Sequence, residues 1–321
     1  MIEEKQIDVS VIVPVYNHEK YVAKALDSIL VQKTKYKYEI LIGEDCSVDR
    51  SREIIRKYEK EHPKIIRAFY RARNTGATKN GYALYMAARG RYIALLEGDD
   101  YWCDEYKIER QISFLDAHPE YIGVAHNFRR IDQNDRVTKE KCISDEETNC
   151  AFTWRDFLEK SFLFQSATLI YHNFYLEDRD YSILYKSHDI VGDMTILTIL
   201  LNRSNIYVMP DVMSAYREVI SNSASNARSI AFRDPALSNL KSVRQLHMLR
   251  KFLQNEKDFN RKIAEIKAGF IIEMLRHKSG YTLKRWRQLA AFGDRDTNTK
   301  AILLIGRMIK NKLLKRDNLY A

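Results

Sequence analysis

The first hundred residues alternate between short apolar strands and amphipathic helices, and no other feature restricts the fold of this chain as strongly. Val9–Val15 reads VSVIVPV, a β-branched run that is typical of a buried strand. A helical pattern follows over 22–30, and a second strand is expected at Tyr38–Gly43. The same alternation continues to a strand that begins at Tyr92. This order predicts an α/β fold with a mostly parallel, Rossmann-like sheet flanked by helices.

Three of the predicted strands end in polar clusters. The clusters are Pro14–Asn17, Glu44–Asp49 and Glu97–Asp100. Parallel sheets bind their ligands at the carboxyl ends of the strands, and these three ends should lie on one edge of one sheet. The sequence therefore predicts a binding cleft at that edge.

The most unusual of these ends is the acidic one. The apolar segment Tyr92–Leu96 runs directly into Glu97, Gly98, Asp99 and Asp100. Three carboxylates so close together repel one another, and a strand end beside a core solvates them poorly. A divalent cation would relieve both problems, since hard cations prefer oxygen ligands. A solvated acidic turn is the alternative at this point.

The chain lacks both of the common glycine-rich phosphate loops. No G-x-G-x-x-G follows the first strand, and no G-x-x-x-x-G-K-[ST] occurs anywhere. Dinucleotide-dependent redox chemistry and P-loop phosphoryl transfer are therefore not expected. A diphosphate bound here would need another source of positive charge, and a metal held by carboxylates is one.

The formal net charge of +10 is compatible with nucleic acid, anionic lipid or a polyanionic small substrate. The four cysteines form no C-x-x-C pair, and no apolar run is long enough to span a bilayer. We expect a cytoplasmic protein. Peripheral attachment to the inner face of the cell membrane is the alternative location.

Helical patterns dominate after about residue 225. Asp234-Pro235 is a suitable helix start, and the last predicted helix, Lys300–Lys315, combines an apolar face with a basic one. That helix can lie on an anionic membrane or pack on the catalytic domain. We predict a first domain over 1–225, with a nucleotide-binding half up to 122 and an acceptor half from 123, and a helical region over 226–321.

Four motifs in this order resemble one enzyme family. They are Pro14-Val15-Tyr16-Asn17, Glu44-Asp45-x-Ser47-x-Asp49, Arg73-Asn74-x-Gly76 and Glu97-Gly98-Asp99-Asp100-Tyr101-Trp102. Together they resemble the family 2 glycosyltransferases of the GT-A fold, over about residues 7–220. The resemblance implies an inverting, nucleotide-sugar-dependent enzyme of the bacterial surface-polysaccharide type.

The resemblance also implies roles for single residues. It assigns Pro14, Tyr16 and Asn17 to the nucleobase, and Glu44 and Asp45 to the base and ribose. The other residues that it assigns to the nucleotide sugar are Arg73, Asn74, Glu97 and Arg217. Asp99, helped by Glu97, would hold Mn²⁺ or Mg²⁺. Structural roles are the alternatives, since Tyr16 and Asp45 can cap helices and Arg73 can be a solvated loop charge.

An inverting transfer also needs a general base across the cleft from the diphosphate. The resemblance implies Asp193, which follows Gly192 and opens a helix. Asp189 is the second choice and His188 the third. The alternative for Asp193 is electrostatic stabilisation of the helix N-terminus.

The remaining implied residues lie toward the acceptor and the leaving group. Asp100, Trp102 and Gln165 are expected on the acceptor side. A role in the turn alone is the alternative for Asp100, and packing is the favoured alternative for Trp102. Arg217, in a Tyr-Arg pair, would steady the leaving diphosphate. Many members of the family carry a metal-binding histidine just after this pair. Glu218 and Val219 stand there in this chain, so the third metal contact is not identified.

The expected activity is metal-assisted transfer of a sugar from a UDP-sugar to a hydroxyl of a glycan or lipid-linked glycan. Transfer to polyprenyl phosphate is a second hypothesis, because the same fold serves that acceptor without a strong base. A basic nucleic-acid-binding protein is a third, based on the net charge and on Trp286 among Lys284, Arg285 and Arg287. Because that cluster lies in the helical tail and no RNA-binding signature accompanies it, we expect no nucleic-acid partner.

Overall fold

The computed structural model describes residues 6–160, 163–189, 192–218, 234–292 and 296–306. These residues form two compact units. The first contains the described residues up to Tyr185 together with Asp189 and 192–218, and the second contains Lys186–His188 together with the described residues from 234 onward. The predicted domain boundary near residue 225 lies outside the described residues and stays a prediction.

The first unit begins with four parallel strands in the order β3-β2-β1-β4. These strands are β1 (Val9–Val15), β2 (Tyr38–Glu44), β3 (Ile66–Tyr70) and β4 (Tyr92–Leu95). The helices that connect them are α1 (Val22–Leu30), α2 (Ser51–Glu61) and α3 (Ala77–Ala87). The predicted α/β fold with a parallel, helix-flanked sheet is confirmed, and the three polar strand ends lie on one edge of it.

The same sheet continues beyond β4 as a mixed sheet in the order β4-β9-β6-β10-β5. Among the described strands of this part, β6 and β10 are the one parallel pair, and β9 runs antiparallel to both of its neighbours, β4 and β6. Its strands are β5 (Tyr101–Trp102), β6 (Gly123–Ile131), β7 (Val137–Lys139), β8 (Cys150–Phe152), β9 (Ile170–His172) and β10 (Ile206–Arg217). Its helices are α4 (Lys107–Ala117), α5 (Trp154–Lys160), α6 (Ile183–Lys186) and α7 (Asp193–Leu201).

The main core lies between the sheet and helices of one flanking layer. Alternate residues of β1, including Val11 and Val13, pack in one cluster with α1 residues such as Leu26 and with Ile112 of α4. The intervening residue Ile12 is equally buried on the other face. Burial on both faces explains the continuous β-branched run, because each such side chain stabilises the fold by roughly 1.5–3 kcal/mol.

The second unit is helical, as predicted. Its helices are α8 (Pro235–Leu253), α9 (Glu256–Leu275), α10 (Leu283–Ala291) and a helical segment over 296–306. The Asp234 carboxylate caps α8 by accepting a hydrogen bond from the Leu237 N–H at 3.0 Å. Ala264 and Ala268 of α9 pack against Ala301 and Ile305.

The predicted basic helix Lys300–Lys315 is described only as far as residue 306. Its apolar residues Ile309 and Leu313, and its basic residues from Arg307 onward, lie outside the described residues. Within the described ranges, no helix is long and apolar enough to cross a bilayer.

Candidate functional site

Two loops at the carboxyl edge of the sheet, after β1 and after β2, are joined by hydrogen bonds. The Asn17 N–H donates to the Ser47 hydroxyl at 3.0 Å, and the Asn17 side-chain oxygen accepts from the Val48 N–H at 2.9 Å. The His18 N–H donates to the Ser51 hydroxyl at 2.8 Å. Asn17 has a φ of +58°, a conformation that asparagine tolerates better than most residues. The segment predicted to bind the nucleobase is therefore fixed by hydrogen bonds, and Asn17 joins it to the loop after β2.

Pro14 and Tyr16, predicted to contact the base, lie at this end of β1 and are both half-buried. The Pro14 carbonyl accepts a hydrogen bond from the Gly98 N–H at 3.2 Å. This bond ties the end of β1 to the acidic turn that follows β4.

Glu44 and Asp45, predicted to contact base and ribose, are buried at the end of β2. The Glu44 carboxylate forms an ion pair with Arg52. The Asp45 carboxylate accepts hydrogen bonds from the Thr75 N–H at 2.8 Å, the Thr75 hydroxyl at 2.7 Å and the Gly76 N–H at 2.9 Å. Both carboxylates are thus committed to protein groups, and Asp45 sets the position of the loop before α3.

That loop presents Arg73 and Asn74, which are both exposed. The Asn74 side-chain oxygen accepts a hydrogen bond from the Gly76 N–H at 3.0 Å. Gly76 has a φ of +89°, a backbone conformation that a side chain would strain, and α3 begins directly after it. The Arg73 guanidinium therefore lies on a fixed loop at the edge of the predicted cleft.

The acidic turn begins with Glu97, which is half-buried and lies beside Ser166. Burial, and then the negative charges of Asp99 and Asp193, raises the pKa of Glu97 to about 8. Asp193, the predicted base, therefore lies close enough to the predicted metal-binding turn for its negative charge to raise the pKa of Glu97.

Gly98 is required by close packing rather than by its own dihedral angles. A Cβ atom on Gly98 would lie 2.8 Å from His18 Nδ1 and 2.9 Å from Val15 Cγ2. The His18 ring thus covers the glycine, and its Nε2 lies 3.9 Å from Asp99 Oδ2. His18 was not among the site residues expected from the sequence. Only the pairing of β1 with β4 could have shown that it faces the acidic turn.

Asp100 is not on the surface of a cleft, which corrects the acceptor role expected for it. Its side chain is 2% exposed, and one oxygen accepts a hydrogen bond from the Arg217 N–H at 2.7 Å. Burial, and then the charges of Asp99 and Glu97, raises the pKa of Asp100 well above its ordinary range. Asp100 joins the acidic turn to the end of β10.

Arg217, expected at the leaving diphosphate, is instead turned into the protein. Its guanidinium is 1% exposed and donates to the carbonyls of Asp99 and Asp132, both at 2.8 Å. It also pairs with the Asp135 carboxylate at 2.5 Å. In this structure Arg217 fixes the acidic turn to the turn between β6 and β7.

Trp102 is a core residue, which corrects the expectation that it contacts the acceptor. It is 3% exposed, and its indole N–H donates to the Ala167 carbonyl at 3.2 Å. The buried Lys107 ammonium lies 4.4 Å from the centroid of the ring. Gln165, the other acceptor candidate, is half-buried and directly precedes Ser166, which lies beside Glu97.

Asp193 is the first residue of α7, as predicted. One carboxylate oxygen accepts a hydrogen bond from the Met194 N–H at 2.8 Å, and burial raises the pKa of the group. A Cβ atom on the preceding Gly192 would lie 3.6 Å from the Thr78 methyl group, in the first turn of α3. The residue before the base candidate therefore lies beside the first turn of α3, the helix that follows the loop with Arg73.

The other two base candidates differ in their surroundings. The Asp189 side chain is exposed, and its carbonyl would lie 3.7 Å from a Cβ atom on Gly76. His188 is buried and belongs to the second compact unit.

The side chains of the acidic turn can hold a hard divalent ion only if a substrate supplies some of the ligand atoms. Among the residues that the structure describes, no group of three or more His, Cys, Asp or Glu side chains is arranged to hold a metal. Asp99 is partly exposed, with Glu97 close by in sequence and the His18 ring 3.9 Å away. Mg²⁺-type sites commonly use one or two carboxylates and take their other ligands from phosphates and water. These residues fit such a shared site.

Comparison with known proteins identifies a family. The family model described as glycosyl transferase family 2 matches residues 10–197, more than half of the chain. An uncharacterized protein of Mycobacterium tuberculosis is 40% identical over 116 residues, which are 36% of this chain and 34% of that protein. An uncharacterized glycosyltransferase of Nostoc is 34% identical over 131 residues, 40% of this chain and 39% of the relative. The matched regions thus span only about a third to two fifths of these relatives.

Solved structures share the fold. The crystal structure of residues 1–349 of Staphylococcus aureus TarS superposes with a TM-score of 0.57 at 17% identity, over 88% of this chain and 77% of that one. The same protein in complex with UDP-GlcNAc gives a TM-score of 0.53 at 16% identity, over 88% and 90% of the two chains. In sequence, this chain is 31% identical to TarS, a poly(ribitol-phosphate) β-N-acetylglucosaminyltransferase, over 34% of this chain and 19% of TarS.

Proposed function

Because this chain belongs to glycosyl transferase family 2, we propose that it transfers a sugar, with inversion, from a UDP-sugar to a hydroxyl of a glycan or lipid-linked glycan. The observation that carries the proposal is the convergence of the acidic turn after β4 with Asp193 at the start of α7. The TarS structures with UDP and with UDP-GlcNAc support UDP as the carrier. The poly(ribitol-phosphate) in the name of TarS supports a surface polymer as the acceptor.

We assign the donor side of the reaction to the acidic turn. Asp99, with Glu97 as its helper, would hold Mn²⁺ or Mg²⁺, and the ion would neutralise the charge that develops on the leaving diphosphate. Arg73 is the exposed cation of the adjacent loop and is our candidate for a direct diphosphate contact. Pro14, Tyr16 and Asn17 would form the surface for the base.

We assign the acceptor side to Asp193. Its carboxylate would take the proton of the acceptor hydroxyl while that oxygen attacks the anomeric carbon from the face opposite the diphosphate. The bond between the anomeric carbon and the diphosphate oxygen breaks in the same step, so the configuration inverts. The Met194 N–H holds one oxygen of the carboxylate, and burial makes the group a stronger base.

Kinetics of Asp193→Asn test this assignment. A screen of UDP-sugars with Mn²⁺ first identifies the donor, by release of UDP. We then expect kcat to fall by about 10²–10⁴ in Asp193→Asn, with the donor affinity changed less than about twofold. Asp189→Asn, measured in parallel, tests the second base candidate, and a larger loss of kcat there than in Asp193→Asn would move the base role to Asp189. A loss below tenfold in Asp193→Asn would reject the base role and favour polyprenyl phosphate, an acceptor that is already charged.

We also propose that the C-terminal part of the chain binds an anionic membrane surface. Residues 1–219 contain 31 basic and 35 acidic side chains, a net charge of −4, whereas 220–321 contain 22 and 8, a net charge of +14. The second unit also exposes Leu275, Ile302 and Leu303. Positive charge with exposed apolar side chains is what anionic lipid attracts.

Vesicle sedimentation of the whole chain tests this proposal. We expect binding to vesicles that contain phosphatidylglycerol, weaker binding at high salt, and none to phosphatidylcholine alone. Equal sedimentation with both vesicle types, or with neither, would contradict it. Salt-sensitive retention of RNA in place of vesicle binding would favour a nucleic-acid partner.

A further inference from the structure

We propose that His18 is a ligand of the divalent cation, with Nε2 sharing the ion with the Asp99 carboxylate. This inference rests on the proposed metal-assisted function, and it adds a nitrogen ligand from the loop after β1 to a site otherwise made of carboxylates.

The backbone of His18 is fixed from two directions. Its N–H donates to the Ser51 hydroxyl at 2.8 Å, which attaches it to the start of α2. Its carbonyl accepts from the N–H groups of Tyr21 and Val22, both at 2.9 Å, which attaches it to the start of α1. The side chain therefore starts from a position that the first turns of α1 and α2 define.

Packing fixes one edge of the His18 imidazole ring. Gly98 packs against the Nδ1 edge, because a Cβ atom on Gly98 would lie only 2.8 Å from Nδ1. Nδ1 is buried and has no hydrogen-bond partner among the described residues. Burying a polar atom without a hydrogen-bond partner costs roughly 1–3 kcal/mol of folding free energy. The packing therefore holds the ring in place although this lowers the stability of the protein. The result is that Nε2, the other nitrogen, faces Asp99.

The separation between the two groups suits an ion better than a hydrogen bond. His18 Nε2 and Asp99 Oδ2 are 3.9 Å apart, which is beyond hydrogen-bond distance. Two bonds of about 2.1 Å to one cation allow a separation of up to about 4.2 Å between the ligand atoms. Both side chains are partly exposed, His18 at 23% and Asp99 at 28%, so phosphate oxygens and water could complete the coordination.

A nitrogen ligand has a consequence for metal choice. Imidazole binds first-row transition ions more readily than Mg²⁺, which prefers oxygen. We therefore expect Mn²⁺ to bind the wild-type protein more tightly than Mg²⁺ in the presence of UDP. Replacing the imidazole with an amide should reduce that preference.

Pulsed electron paramagnetic resonance of the Mn²⁺ and UDP complex tests the inference without measuring activity. We expect ¹⁴N modulation from a coordinated imidazole in the wild type, and a change to the ¹⁵N pattern when histidine is ¹⁵N-labelled. The modulation should disappear in His18→Gln and persist in His118→Gln, a surface variant. Mn²⁺ affinity should fall by about tenfold in His18→Gln, with a smaller change for Mg²⁺.

The outcomes separate the inference from the proposed function. Bound Mn²⁺ in the wild type without ¹⁴N modulation would overturn the role of His18 and leave the metal-assisted reaction standing. No bound Mn²⁺ at millimolar UDP would refute the metal-assisted proposal itself. The wild-type spectrum decides between these outcomes even if a His18 variant does not fold.

Discussion

Arg217→Lys distinguishes between two roles of Arg217, a structural one beside the acidic turn and direct binding of the diphosphate. The wild-type guanidinium binds the Asp99 and Asp132 carbonyls and the Asp135 carboxylate at the same time. A lysine keeps the charge but presents a single ammonium on a flexible stem, and it cannot reproduce the planar fork. If Arg217 is a structural residue, the substitution should reduce stability first.

The magnitude follows from the contacts. A lysine that keeps one of the three hydrogen bonds loses two, and bonds to a charged group contribute about 1.5–3 kcal/mol each. We expect the free energy of unfolding to fall by about 3 kcal/mol. For a unit of this size that corresponds to a decrease in Tm of roughly 6–12 °C.

Thermal unfolding and UDP titration provide the measurement. Arg203→Lys is the matched control, because Arg203 pairs with Glu177 while remaining partly exposed, and it should lower Tm by much less. At a temperature where Arg217→Lys is folded, its UDP dissociation constant with Mn²⁺ should stay within about threefold of wild type.

The opposite pattern would refute this reasoning. An unchanged Tm together with UDP affinity weakened by more than tenfold would mean that Arg217 leaves its buried position and binds the diphosphate. That result would restore the role expected from the sequence.

Three further substitutions test other parts of the account. Gly98→Ala should displace the His18 ring, lowering stability by roughly 1–3 kcal/mol and weakening Mn²⁺ binding, and tight Mn²⁺ binding in a folded variant would contradict the packing argument. Trp102→Phe should cost about 1–2 kcal/mol in urea unfolding while the KM for acceptor stays within about twofold, and a large KM change would restore its acceptor role. Asp234→Ala should destabilise the helical unit by about 1–2 kcal/mol through loss of the α8 cap, and unchanged unfolding would show that the cap is dispensable.

The sequence predicted the parallel part of the fold well because local signals determine it. Val9–Val15 was predicted and is found as β1, since a β-branched run buried on two faces favours only a strand. Asp193 opens α7, as the family resemblance implied. The family resemblance, which the family model confirms, rested on the same local motifs.

The sequence could not show contacts between residues that are far apart in the chain. Arg217 meets Asp135 across 82 residues, and this contact depends on how β10 pairs with β6. The placement of β9 between β4 and β6 is equally non-local. The family resemblance therefore implied ligand roles for Arg217 and Trp102, whereas the fold gives both side chains structural contacts.

Calorimetric titration of UDP into wild type and Asp99→Asn, each with and without Mn²⁺, tests the central claim most directly. We predict that UDP binds the wild type only when Mn²⁺ is present, and that Asp99→Asn binds it at least tenfold more weakly under the same conditions. Equal UDP affinity with and without Mn²⁺, or an unchanged affinity in Asp99→Asn, would contradict a metal-assisted nucleotide-sugar site at the acidic turn.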